Sequence, residues 1–312
     1  MTETIRIGTR KSDLALWQAN YVKNCLLKTY PNAHIEIVTH TTQGDKILDQ
    51  PLAQIGGKGV FTAELETALL AGEIDCAVHS LKDLPTDNPS GLTIGAVTER
   101  ARVNDVLISR AGLLLDDLPS GATIGTSSLR RASQLMAHRD DLTVIDIRGN
   151  VPTRIAKALD PNGAYDAIIL AQAGVQRLNL MHKITQILPL EMMLPAPGQG
   201  ALAVQCRADD TRFASLTHRP TLACVTAERV FLSALGGGCA VPVAAYAKFK
   251  DDELTLHGRV GALDGSHTID VDDAIPFEFD DENALSKSVE IGQRVGKMAL
   301  ELGADNLLAG RI

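Results

Sequence analysis

The sequence predicts an α/β protein of three domains, two doubly wound units followed by a small α+β unit. Three observations carry that reading. Short apolar runs alternate with stretches of helical spacing through the first two-thirds of the chain, the pattern of helices packed on a mostly parallel sheet. The alternation starts afresh near residue 103, after a hinge-like stretch at 97–102. Beyond about residue 220 it gives way to a helix, alternating strands and a final helix. A chain of 312 residues suits two or three domains at roughly 150 residues each.

Each element has its own signal. A strand at 5–9 runs into a helix at 12–29 whose apolar side is read as Leu14, Leu16, Trp17, Tyr21, Val22 and Cys25. A strand at 34–39 precedes a polar, glycine-rich stretch at 41–59, long enough to suggest a functional lid. A helix at 61–71 stops at Gly72, and residues 75–79 form a short buried strand. In the second unit, a strand at 123–125 enters the turn Thr126-Ser127-Ser128 and a helix beginning at Leu129. A strand at 142–147, a helix at 152–159 and a strand at 166–170 follow, and the breakers at 195–200 mark a crossing back. The third unit has a helix at 222–235, a glycine loop, strands at 241–248 and 254–263, and a helix from 282 to about 302. Asp264-Gly265 is a hairpin signal after the second of those strands. The expected domains are 1–98 with 199–218, then 103–195, then 221–312.

Composition narrows the function classes. The chain is 45% hydrophobic and 22% charged, with a net charge of −8, whereas a general nucleic-acid binder is usually basic. Aromatic residues make up only 4%, which argues against base stacking and membrane belts. No apolar run reaches the length of a spanning helix, and residues 1–8 lack a secretory pattern. Cys25, Cys76, Cys206, Cys224 and Cys239 are scattered, without a CxxC pair or a zinc spacing to histidine. A cytoplasmic enzyme or binding protein without metal is expected.

Arginines gather beside the turns of the first two units. Arg10 follows the first strand, Arg130 and Arg131 follow the Thr126 turn, Arg148 follows the strand ending at 147, and Arg154 and Arg177 lie beyond. In a doubly wound sheet these turns share one edge, where ligands bind, and helix N-termini there favour anions. Guanidinium groups add bidentate grips on carboxylate or phosphate, although any single arginine could equally be solvated or salt-bridged. Gly56-Gly57-Lys58-Gly59 lacks the phosphate-loop pattern and reads as part of a lid, with Lys58 as an anion contact. Ser80, Lys82 and Asp83 follow a buried strand. Asp83 reads either as a turn residue or as a carboxylate facing a basic cleft. Cys239 sits after three glycines, so a nucleophilic role and a permanent covalent attachment are both open to it.

Taken together, these motifs resemble the porphobilinogen deaminase (hydroxymethylbilane synthase) family. They are Ile7-Gly8-Thr9-Arg10-Lys11-Ser12, Gly56-Gly57-Lys58-Gly59, Ala77-Val78-His79-Ser80-Leu81-Lys82-Asp83, Gly125-Thr126-Ser127-Ser128-Leu129-Arg130-Arg131, Arg148-Gly149-Asn150, Gly198-Gln199-Gly200-Ala201 and Gly237-Gly238-Cys239. They stand in family order across residues 7–242. Departures from the usual pattern fall at Asp13, Gln43, Gln54, Gly236 and Ala240.

The resemblance implies a transferase of tetrapyrrole and haem biosynthesis. Such an enzyme joins four porphobilinogen molecules head to tail with loss of ammonia and releases hydroxymethylbilane. Its primer is a dipyrromethane cofactor held by a thioether, here to Cys239, in a cleft between two domains like those of type II periplasmic binding proteins. By the same resemblance Asp83 and Arg10 are catalytic. Ser80, Lys82, Asp83, Thr126, Ser128, Arg130, Arg131, Arg148 and Gly149 contact the cofactor. Arg10, Gln18, Lys58, Arg148, Arg154, Arg177 and Gln199 contact substrate. A monomer without metal, nucleic-acid or membrane partners is implied. Two other classes compete: a carboxylate-binding protein without catalysis, and the effector domain of a DNA-binding regulator. The first has no need of Cys239, and the second would want a helix-turn-helix segment that the sequence does not show.

Overall fold

The computed structural model of the chain describes residues 4–46, 59–237, 241–279 and 283–310. The first unit contains β1 (Thr4–Arg10), α1 (Asp13–Thr29), β2 (His34–His40), α2 (Gln43–Lys46), α3 (Ala63–Leu70), β3 (Cys76–Ser80) and β4 (Leu92–Val97). Its sheet is completed by β10 (Leu202–Arg207), giving the order β2-β1-β3-β10-β4. β10 runs antiparallel to both neighbours, so the other four strands share one direction.

The second unit contains β5 (Asp105–Ser109), β6 (Thr123–Gly125), α4 (Leu129–His138), β7 (Thr143–Ile145), α5 (Val151–Leu159), β8 (Ala167–Ala171), α6 (Gln172–Arg177) and β9 (Gln186–Ile187). Its order is β7-β6-β8-β5-β9, with β5 as the one antiparallel strand. Both sheets therefore follow one plan: second, first, third, reversed strand, fourth. This is the pair of doubly wound units that the sequence leads one to expect.

The third unit is α7 (Arg219–Ala234), the antiparallel meander β11 (Val243–Lys250), β12 (Glu253–Gly261) and β13 (Thr268–Pro276), then α8 (Ala284–Glu301) and α9 (Ala304–Leu308). β12 alternates buried and half-buried residues, as a strand covered on one face should. Phe231 of α7 and Ile291 and Val295 of α8 supply the cover over Leu254, Leu256 and Val260. Among the described residues, no helix is long and apolar enough to cross a membrane.

Local chemistry sets the elements. Central strands are buried on both faces and read as continuous apolar runs, as in β8, where Ala167, Ile168, Ile169 and Leu170 are all buried. α1 starts at Ser12, whose hydroxyl accepts the Ala15 amide at 3.3 Å, and α5 starts at Asn150, which accepts the Thr153 amide at 3.0 Å. The buried stripe of α1 differs from the sequence reading. Ala15, Gln18, Ala19, Val22 and Leu26 are its buried residues, and Ala19, Val22 and Leu26 pack with Ile5, Ile7 and Ile35 of the sheet. Trp17 is 37% exposed and stacks on Tyr21. Five strands beyond the sequence reading also appear: β4, β5, β9, β10 and β13. The aspartates of β13 hide it in the sequence. Asp270 and Asp272 lie on the outer face beside His257 and Arg259, whereas Asp273 falls on the inner face with Val271 and Ile275 and meets Arg294 of α8, so charge interrupts both faces of the pattern.

The chain passes between the two sheets twice, at 98–104 and again after β9 on the way to β10. One carboxylate binds both passages to the third unit. Glu228 of α7 is fully buried. It accepts from Arg100 at 2.6 and 3.0 Å, from the Gly198 amide at 2.7 Å and from the Ala247 amide at 2.8 Å.

Candidate active site

The carboxyl ends of the two sheets face one another across a cleft of about 650 Å³. From the first unit, β1 delivers Arg10 at its last residue. β3 delivers Ser80 at its end, and a single turn of 3-10 helix, Leu81–Asp83, adds Lys82 and Asp83. From the second unit, α4 supplies Arg131, the turn before α5 supplies Arg148 and Gly149, α5 supplies Arg154, and α6 supplies Arg177. This is the edge at which open α/β sheets bind ligands.

Charge on this wall is one-sided. Arg10, Lys11, Lys82, Arg131, Arg148, Arg154 and Arg177 line it, and Asp83, itself exposed, is the only acidic residue among the described lining. The cations feel one another. Burial, then the field of Arg131, lowers Lys82 to about 8, against the pull of Asp83 and Asp105. Burial, then Arg131 and Arg148, lowers Arg154 to about 10, and burial lowers Arg177 to about 10. Desolvated like charges with one counter-charge form a site that gains from a ligand bearing several carboxylates. A dipyrromethane carrying acetate and propionate side chains fits that demand. Aromatic rings steady two of the cations: Arg10 lies 4.3 Å from the Phe61 ring centre, and Arg177 lies 5.5 Å from that of Trp17.

Five residues singled out in the sequence stand behind the wall rather than on it. Gln18 is buried and donates to the Ser80 hydroxyl at 2.8 Å. The Thr126 hydroxyl accepts the Ser128 amide at 3.2 Å, so both shape the turn while Ser127 lines the cleft. Arg130 is spent on the Leu194 carbonyl at 2.5 Å and on Asp105 at 2.7 Å. Gln199 is fully buried; it accepts from Lys82 at 3.1 Å and donates to Asp105 at 3.0 Å. Asp105, absent from the sequence reading, is the hub of this layer. Burial would raise its carboxyl, but Arg130 and Arg131 outweigh that and hold it far below the ordinary range. Arg131 meets it at 2.7 Å, which aims that arginine along the wall. Phe61, read in the sequence only as the start of the helix at 61–71, lies in the turn before α3 and lines the cleft.

Lys58 and Cys239 lie outside the described residues, as do Gln54, Gly56, Gly57, Gly238 and Ala240. Cys25 is half-buried, and Cys76, Cys206 and Cys224 are buried. Burial pushes Cys206 up to about 11 and Cys224 up to about 12, so neither offers a ready thiolate. No group of metal-ligating side chains large enough to hold an ion occurs among the described residues.

Comparison with known proteins agrees with this geometry. The model of the porphobilinogen deaminase dipyromethane cofactor binding domain matches residues 5–215, and that of the porphobilinogen deaminase C-terminal domain matches residues 222–301. The porphobilinogen deaminase of Geobacter metallireducens is 48% identical over 309 residues, 98% of this chain and 94% of that one. That of Stenotrophomonas maltophilia is 47% identical over 310 residues, 98% of this chain and 99% of that one. Among solved structures, a point mutant of full-length BenM is similar with a TM-score of 0.42 and 15% identity, over 71% of this chain and 66% of that one. With both domain models matched in order and near-half identity along almost the whole length, the chain belongs to the porphobilinogen deaminase family.

Proposed function

We propose that this protein is the transferase that joins four porphobilinogen molecules head to tail and releases hydroxymethylbilane, for tetrapyrrole and haem biosynthesis. The observation that supports it most is the cleft wall, with seven cations around one exposed carboxylate at the shared edge of two sheets. A growing chain of pyrroles, each with an acetate and a propionate, is a polyanion of the kind such a wall holds. A carboxylate-binding protein without catalysis would use the cations and leave Asp83 without a task.

The residues then take distinct roles. Arg131, Arg148, Arg154, Arg177 and Lys82 grip carboxylates, with Ser80 and the Gly149 turn completing the wall. Arg10, backed by Phe61, holds a substrate carboxylate beside the departing amine. At each addition the aminomethyl C–N bond breaks and ammonia leaves. The methylene carbon then bonds to the free α-carbon of the terminal pyrrole, which loses its proton. Loss of ammonia leaves an electron-poor azafulvene, and Asp83 stabilises its cationic character from the pyrrole nitrogen side and assists the proton transfers. The dipyrromethane cofactor, a thioether on Cys239, supplies the first pyrrole nucleophile. Gln18, Thr126, Ser128, Arg130 and Gln199 act by fixing wall residues, and Lys58 serves as an anion contact for substrate.

The domains are assigned as 1–98 with 199–218, 103–195, and 221–312, acting in a cytoplasmic monomer without metal. Incubation with porphobilinogen tests the activity. Release of four ammonia per linear tetrapyrrole is expected, and binding without ammonia release would favour the carboxylate-binding reading.

A further inference from the structure

Asp83 projects from a 3-10 turn only three residues long, a form with little stiffness of its own. Its closing backbone bond, from the Leu84 amide to the Leu81 carbonyl, is 3.2 Å. Behind the turn stands Arg229 of α7. Its Nη1 donates to the carbonyls of Leu84 at 3.1 Å and Leu81 at 3.4 Å. Its Nη2 donates to the carbonyls of Pro85 at 2.5 Å and Thr86 at 3.4 Å. One planar fork thus spans the backbone on both sides of Lys82 and Asp83.

Apolar packing seats the ends of the turn: Leu81 and Leu84 are buried in one cluster with Val97, Ala201, Ala203 and Val225 of α7. It does not reach the backbone carbonyls, which Arg229 meets beside a groove of about 240 Å³. α7 has other attachments. Glu228, the preceding residue, holds the crossing segments through Arg100 and the Gly198 amide. The helix ends at Ala234 and continues to Gly237, where an added Cβ would lie 3.0 Å from the Thr86 hydroxyl. Cys239 follows two residues later in the sequence.

We infer that Arg229 is a positioning residue for Asp83. By holding four carbonyls around the turn, it sets the direction in which the Asp83 carboxylate enters the cleft. This rests on the proposed polymerase activity and adds a residue to its machinery. A lysine cannot replace it, since one ammonium lacks the fork that reaches both sides of the turn.

Steady-state kinetics with porphobilinogen test this on the wild type, Arg229→Met, Arg229→Lys and Phe231→Leu, each purified with its cofactor mass verified. Phe231→Leu loosens the same helix on its other side, in the core of the third unit, without touching the turn. Arg229→Met is expected to lose roughly ten- to a hundredfold in kcat with KM nearly unchanged and the cofactor attached, the signature of a misplaced catalytic group. Arg229→Lys should lose nearly as much, while Phe231→Leu keeps wild-type kcat despite a lower melting temperature. A normal kcat in either Arg229 variant overturns the inference, as does an equal loss in Phe231→Leu. If Arg229→Met does not fold, Arg229→Lys carries the test alone. A wild type that binds porphobilinogen without releasing ammonia refutes the activity itself, a result distinct from normal turnover in the variants.

Discussion

The Nζ of Lys82 lies 3.1 Å from the Oε1 of Gln199, and through that amide the first unit's wall is joined to the second unit's core. Gln199 sits on a segment that passes between the two sheets, and its Nε2 donates to Asp105 at 3.0 Å and to the Val103 carbonyl at 2.6 Å. Asp105 in turn holds Arg130 and Arg131. The cations on opposite sides of the cleft are therefore tied through the passage between the domains, so their spacing is fixed before any ligand arrives.

Lys82 gives the cleft a pH response. Burial, then Arg131, holds its ammonium at about 8, below the ordinary value of about 10.4. Above pH 8 the empty cleft loses this charge, and a bound polycarboxylate favours the protonated form and draws a proton in. Asp83 helps to hold Lys82 up, so in an Asp83→Asn background affinity for porphobilinogen should already be falling as pH rises towards 8. Calorimetry just above pH 8, in two buffers of different ionisation enthalpy, should show proton uptake that Lys82→Met removes. The linkage for folding has the opposite sense. The depressed value penalises the empty folded state fully below pH 8, and the penalty fades between pH 8 and the unfolded-state value.

Asp83→Asn keeps the shape of the turn and removes the charge. The variant should fold, with an unchanged melting temperature within error, and should bind porphobilinogen. Its rate of chain growth should fall by about a hundredfold or more, the scale of losing one aimed electrostatic group. Single-turnover mass spectrometry, following enzyme with successive substrate units attached, checks this directly.

Asp105→Asn leaves two buried guanidiniums facing a neutral amide. Removing one partner of a buried pair costs about 3–5 kcal/mol, and here two arginines lose their counter-charge. Denaturant unfolding should show a loss of that size. If the variant folds, its affinity for porphobilinogen should also fall, since Arg131 is no longer aimed along the wall.

Gly200 stands where the second passage meets the first. Its φ is +91°, and an added Cβ would lie 2.7 Å from the Ala101 carbonyl oxygen, a backbone atom that cannot swing away. Gly200→Ala should cost about 1–3 kcal/mol in strain, before any cost from the clash. Its carbonyl also accepts from Arg177 at 2.8 Å, so KM for porphobilinogen should rise together with the loss of stability.

Much of this site is legible in the sequence because its chemistry is local. Arg10, Asp83, Arg148 and the Thr126 turn each follow an apolar strand by a residue or a few, and a doubly wound sheet brings such positions to one edge. The layer behind the wall is not local. Asp105 meets Arg131 across 26 residues and Gln199 across 94, and Gln18 meets Ser80 across 62. A buried acid at the head of β5 also breaks the apolar run that would have announced that strand. The face of α1 misleads for a related reason: Trp17 and Leu14 turn toward α6 and the cleft, so the largest side chains are not the ones packed on the sheet. Glu228 and Arg229 receive no reading in the sequence, where the helix at 222–235 is taken by its apolar spacing; Glu228 falls on its buried stripe with Thr221, Cys224, Val225 and Phe231.

The central claim is a polymerase primed by a cofactor on Cys239, and the intact mass of the native protein with a peptide map around that residue tests it most directly. The account predicts an increment equal to two linked pyrrole units, located on Cys239, and further increments on brief exposure to porphobilinogen. A Cys239 that is unmodified in fresh protein and gains no mass on incubation with porphobilinogen would contradict it.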